Sequence, residues 1–198
     1  MGERETLAEQ ATEAYTSGKE FAYDHVARDK VHPFKKQTET RLNITVNAQR
    51  RSMKGLLLLF VEPYTAGARD SEKYIFPDIK KIRVTINGTP CMLYNEGLES
   101  RDIWSEASRF FMKEEQKPQH MNMQKFYTNN KFGLLIDLRS MASQKMYGGG
   151  TRLVNTTDGV QLEIERDANG SGDVNCHIFI ISDSQFNIMG IQLQSVQY

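Results

Sequence analysis

The sequence predicts an all-β fold, an antiparallel eight-stranded sandwich with one inserted helix, on three observations. Apolar residues alternate with polar ones at period two in several separate stretches: Leu42, Ile44 and Val46; Ile82, Val84 and Ile86; Val160, Leu162 and Ile164. The stretches are divided by turn residues, with Asn87-Gly88 the strongest hairpin signal. Only residues 101–112 carry clear helical spacing, which argues against alternating βαβ units. The eight-stranded antiparallel sandwich is the jelly roll.

Taken in order, residues 1–35 read unlike the rest. Residues 6–15 are rich in Ala, Glu and Gln, with Leu7, Ala11 and Ala14 on one weak face, so a short helix or a mobile arm is expected. Val31-His32-Pro33 ends any helix, because proline pushes the preceding residue out of the α region. A single domain is expected over residues 36–198. Within it, 42–46 is a half-buried strand and 55–61 is an unbroken apolar run, a strand covered on both faces. Residues 82–86 and 89–94 form a hairpin, the returning strand entered through Pro90. In the helix, Ile103, Trp104, Ala107, Phe110 and Phe111 recur at spacings of one, three and four, and Lys117-Pro118 stops it. A shorter helical turn is expected near 121–126. Strands follow at 131–138, 151–154, 160–164 and 174–182, the last after the turn at 169–172.

Composition narrows the function. The chain has 198 residues, enough to bury roughly 70% of its unfolded surface, so it needs neither metal nor disulfide to fold. Lys+Arg and Asp+Glu both total 25, a net charge of zero, which argues against a chain whose main task is coating nucleic acid and leaves room for a local basic patch. The run at 55–61 is too short to span a bilayer, and residues 1–20 lack a hydrophobic leader segment. A chain that is neither secreted by that route nor membrane-bound is expected, with Cys91 and Cys176 as buried reduced thiols. The sequons at Asn43, Asn87, Asn155 and Asn169 then carry no glycan.

No constellation reads as an active site. Glu163 and Glu165 share one strand face, but opposite the apolar one, so they sit in water without the burial that keeps one acid of a hydrolase protonated. His25, His32, His120 and His177 show no metal-ligand spacing. Cys176 and His177 are adjacent on a strand and point to opposite faces, so they cannot act as nucleophile and base. Gly148-Gly149-Gly150 lacks the Lys-Ser/Thr and helix start of a phosphate loop. Arg50, Arg51 and Lys54, with Lys35, Lys36 and Arg41 upstream, form the one concentrated basic group, a candidate contact for nucleic acid or an acidic partner. No serine triad, dinucleotide fingerprint or cofactor motif is present, and no catalytic, cofactor or metal site is expected.

Several of these segments together carry a resemblance. Arg50-Arg51-Ser52-Met53-Lys54-Gly55-Leu56-Leu57-Leu58-Leu59-Phe60 and Glu62-Pro63-Tyr64-Thr65-Ala66-Gly67-Ala68-Arg69-Asp70-Ser71-Glu72-Lys73 come first. Val84-Thr85-Ile86-Asn87-Gly88, Leu93-Tyr94-Asn95-Glu96-Gly97 and Lys131-Phe132-Gly133-Leu134-Leu135-Ile136-Asp137-Leu138-Arg139-Ser140 follow. Leu153-Val154-Asn155, Asp158-Gly159-Val160-Gln161-Leu162-Glu163-Ile164, Cys176-His177-Ile178-Phe179 and Ser195-Val196-Gln197-Tyr198 complete the series. In this order, over about residues 35–198, the chain resembles the major capsid proteins of Polinton (Maverick) elements and adintovirus-like viruses.

The resemblance is to the C-terminal jelly roll of the double jelly-roll family; 198 residues are too few for two jelly rolls. It implies a structural virion protein, not an enzyme, that assembles with copies of itself as a homo-trimer or larger. A penton protein or a separate N-terminal jelly roll would be further partners, and the host cytoplasm or nucleus the location before assembly. Long loops at 62–73, 95–130 and 140–151 suit contacts with neighbours. Arg69, Asp70, Glu72 and Lys73 carry both signs of charge and are the candidate subunit contact. Trp104, Phe110 and Phe111 either cap the sandwich or anchor a neighbour. The alternative function is a host-retained jelly-roll module that binds nucleic acid or another protein through Arg50, Arg51 and Lys54.

Overall fold

Period-two patterning puts one side of each strand in the core, and two antiparallel sheets meet over it. The computed structural model describes residues 12, 19–35, 40–63, 73–94, 96–111, 122–139, 148–154, 159–167, 172–189 and 192–197. Ten strands are described: β1 (Lys19–Phe34), β2 (Arg41–Val46), β3 (Met53–Val61), β4 (Ile79–Ile86), β5 (Thr89–Pro90), β6 (Leu98–Glu99), β7 (Leu134–Asp137), β8 (Val160–Arg166), β9 (Val174–Met189) and β10 (Gln192–Gln197). Two helices, α1 (Ser100–Phe111) and α2 (Met123–Thr128), lie between β6 and β7.

One sheet has the order β1-β9-β3-β7, with β10 also on β9; the other runs β2-β8-β4-β5, with β6 also on β4. The chain changes sheet at almost every step, from β1 through β4 and again from β7 through β9. This is the wiring of a jelly roll. The short β5 and β6 both pair with β4 and fill one strand position, so eight positions carry the roll and β10 is added at the end of β9.

The interior is a continuous apolar layer. Ile44 and Val46 from β2, Leu56, Leu58 and Phe60 from β3, Ile82 and Val84 from β4, Leu162 and Ile164 from β8, and Cys176 and Ile178 from β9 all lie within it. In α1, Ile103 and Ala107 turn toward this layer, as the spacing required. The Asn87-Gly88 turn has φ of 50° and 75°, the positive pair a two-residue type I′ hairpin needs. Cys91 and Cys176 are buried and free.

Several expectations are corrected. Residues 19–34, expected in a helix or arm, form a 16-residue strand paired along β9. Their pattern is masked by a bulge between Arg28 and Val31, which reverses which residues face inward: Ala27 stands opposite Ile180, but His32 stands opposite Cys176. The weak face at 6–15 falls outside the described residues except Thr12. The returning strand at 89–94 shrinks to Thr89–Pro90; Cys91 makes one more ladder bond, to the Val84 carbonyl, and the chain then enters a 3₁₀ turn at Met92–Tyr94. The strand at 131–138 narrows to Leu134–Asp137, and that at 151–154 is only a bridge between Thr151 and Met53. β9 runs seven residues beyond the expected Ser182, because Ser182 and Ser184 continue the inward alternation with hydroxyls in place of methyls.

Candidate assembly surfaces

A buried polar network closes one end of the sandwich. Lys54, entering β3, places Nζ 2.7 Å from Asp183 on β9 and 2.6 Å from Asp24 on β1. The second Asp183 oxygen accepts from Ser52 Oγ at 2.6 Å and from the Gly148 amide at 2.9 Å, while the Gly150 amide donates to Ser52 Oγ at 2.9 Å. The Gly148-Gly149-Gly150 loop therefore closes on a protein carboxylate, with two of its amides already committed. A Cβ on Gly150 would collide with the Met53 carbonyl, which explains glycine there. Burial acts to lower the Lys54 pKa, but Asp183 and Asp24 outweigh it and hold the ammonium above the ordinary lysine value.

Beside it, Arg139 grips buried Asp137 with Nε at 2.9 Å and a second nitrogen at 2.8 Å. The hydrogen bonds to Asp137 hold the guanidinium above its already high value. The Tyr94 hydroxyl accepts from the Asp137 amide at 2.8 Å and lies 3.1 Å from the Asp137 carbonyl. Burial, with Glu106 adding to it, pushes the Tyr94 phenol well above its usual value. Rings fill another region of the core: Phe126 lies 5.2 Å from Phe132 and 5.1 Å from Trp104, and Phe76 lies 5.0 Å from Phe132. Trp104 thus caps the core; the side chains of Phe110 and Phe111 fall outside the described residues.

The two outward faces differ in chemistry. On the β2-β8-β4 sheet, Glu163 pairs with Arg83, and Glu165 lies 3.6 Å from Arg41 and 3.9 Å from Arg83. That is the solvated charged face expected of the two glutamates. On the β9-β3-β7 sheet, register places Leu57 opposite both Phe179 and Leu135, Val26 opposite Ile181, and Leu59 opposite His177. This face carries an apolar strip, with Leu57, Leu59, Phe179 and Ile181 half-buried, Val26 57% exposed and Leu135 already buried, and the strip is flanked by His177, Arg28, Asp24 and Asp183.

Lys73 forms an ion pair with Glu62 at 2.8 Å, while Arg69, Asp70 and Glu72 fall outside the described residues. Arg50 is half-buried and Arg51 exposed, and Lys54 is paired with Asp24 and Asp183. Cys176 is buried while His177 lies outward, 2.7 Å from Arg28 through Nδ1, so the two stand on opposite faces. Burial pushes the Cys176 thiol well above its ordinary value. Among the described residues, no group of three His, Cys, Asp or Glu is placed to hold a metal, and no helix is long and apolar enough to cross a membrane. Sequence reasoning missed Asp24, Ser52, Asp137 and Asp183, because Ser52 and its partner are 131 positions apart.

No family model matches the sequence and no curated protein matches it. Solved structures do. A quasi-atomic model of the PBCV-1 virus capsid aligns with a TM-score of 0.54 at 10% identity, over 96% of this chain and 54% of its own. PBCV-1 VP54, fitted into a reconstruction of the virophage Sputnik, aligns with a TM-score of 0.57 at 11% identity, over 91% of this chain and 52% of its own. The 3.5 Å structure of the Sputnik virophage aligns with a TM-score of 0.50 at 11% identity, over 89% of this chain and 38% of its own. The chain has the jelly-roll fold of viral capsid structures. It spans about half the length, or less, of the chains it matches.

Proposed function

We propose that this chain is a jelly-roll unit of a viral or transposon-derived shell, of the Polinton/Maverick and adintovirus-like kind, acting by self-association into a homo-trimer or larger assembly of the virion. The observation that carries this reading is the likeness to capsid structures over 96% and 91% of the chain. The physical support is the contrast between outward faces. A lone sandwich does best with both faces polar, whereas here one is an ion-pair grid and the other presents Leu57, Leu59, Phe179 and Ile181. A second jelly roll, from another copy or from a separate N-terminal half, would bury that face. The neighbours' greater length leaves room for such a unit beside the part this chain matches.

Sedimentation velocity of the wild type against Leu59→Lys and Phe179→Lys tests the reading. Both side chains point away from the core, so the variants keep the wild-type unfolding midpoint while the sedimenting species becomes smaller. A wild type that stays monomeric at its highest soluble concentration, or variants that associate as the wild type does, would overturn the reading.

A further inference from the structure

Among the described residues β1 pairs with β9 along one edge, and no strand lies along its other edge. β1 is 16 residues long, and four of the six exposed large apolar side chains among the described residues are on it: Phe21 at 39%, Tyr23 at 36%, Val26 at 57% and Val31 at 39%. A long edge strand is a template for another strand unless bulges, proline or charge protect it. The bulge between Arg28 and Val31, with Lys30 and Pro33, guards the segment leading to Phe34, whereas the charges in residues 20–28, Glu20, Asp24 and Arg28, are of both signs and can be matched by a second copy. Residues 20–28 have neither bulge nor proline.

We infer that residues 20–28 of two copies pair antiparallel about a two-fold axis through Asp24, joining two sheets into one. This inference rests on the shell reading and names one of its contact surfaces. The segment is complementary to itself in that register. Glu20 of each copy stands opposite Arg28 of the other, and Tyr23 stands opposite His25, a ring pairing already present within one chain at 6.4 Å. Phe21 meets Ala27, and Ala22 meets Val26, so in these two pairs a larger side chain faces a small one. The two Asp24 carboxylates meet at the axis, where like charges would repel, but each is held 2.6 Å from its own Lys54. Directly opposed residues share a sheet face, so every one of these pairs falls on matching sides. Two nine-residue strands bury little area, so the contact is weak in isolation and gains strength in an assembly with several contacts.

Paired cysteines read the register. Ala22→Cys and Val26→Cys chains, mixed and mildly oxidised, give a covalent dimer, while either variant alone gives little. Both positions are exposed, and the native Cys91 and Cys176 are buried and do not compete. Glu20→Arg and Arg28→Glu each weaken dimerisation about tenfold by turning two attractions into repulsions, and the double variant restores it. Melting temperatures of all variants stay at the wild-type value. Strong cross-linking of Val26→Cys alone would place the axis elsewhere and overturn the inference. So would charge changes without effect, or a double variant that fails to restore pairing. If copies associate but the mixture does not cross-link, this surface is wrong while the shell reading stands. If nothing associates at any concentration, both fall.

Discussion

Replacing Asp183 by Ala tests how the polar end of the sandwich is held. The carboxylate is 3% exposed and binds Lys54 at 2.7 Å, Ser52 Oγ at 2.6 Å and the Gly148 amide at 2.9 Å. Removing one partner of a buried ion pair costs about 3–5 kcal/mol, and each buried donor left without an acceptor adds about 1–3 kcal/mol. Lys54 is 17% exposed and retains Asp24, which relieves part of this, so the expected loss is about 4 kcal/mol. Asp24→Ala removes the outer carboxylate of the same lysine, 61% exposed, and costs less than about 1 kcal/mol. With a urea slope of about 2 kcal/mol per molar, the midpoint falls by about 2 M for Asp183→Ala and by less than about 0.5 M for Asp24→Ala. Equal shifts for the two, or a shift under about 0.5 M for Asp183→Ala, would refute the reasoning.

Other expectations follow from the same geometry. Tyr94→Phe strips the buried Asp137 amide of its acceptor and lowers stability by about 1–3 kcal/mol, read from the urea midpoint. Gly150→Ala forces a Cβ against the Met53 carbonyl and loosens the loop that caps Asp183, at about 1–3 kcal/mol in the same assay. Lys54 and Tyr94 both have folded pKa values above their unfolded ones, so the unfolded chain loses these protons first. Their contribution is complete below about pH 10 and declines as pH rises through the folded values; a Lys54→Met, Tyr94→Phe double variant shows a flatter alkaline stability profile. A thiol reagent at neutral pH should label neither cysteine until the protein unfolds; rapid labelling of Cys176 in the native state would contradict its burial.

Elements whose own residues specify them were legible in the sequence. β2, β4 and β8 alternate cleanly because one face is core and the other water, and the Asn87-Gly88 turn is set by two adjacent residues. α1 was legible because Ile103 and Ala107 share one face. β1 was not, because its bulge breaks the alternation and its inward side beyond the sandwich bears Phe21, Tyr23 and His25, which no simple hydrophobic pattern separates from Ala22, Asp24 and Val26. The polar network was invisible for a different reason: Lys54, Asp24 and Asp183 come from three strands, and the spacing along the chain carries no trace of their meeting. The contrast between outward faces lay between these cases. The run at 55–61 signalled a strand covered on both sides, and only the sheet order revealed that the second side faces outward.

The central claim is that this sandwich exists to be tiled against like units. Light scattering across a wide concentration range tests it most directly, the monomer weighing 22.7 kDa. The account predicts an average mass that climbs with concentration toward three copies or more. A mass fixed at one copy throughout would contradict it.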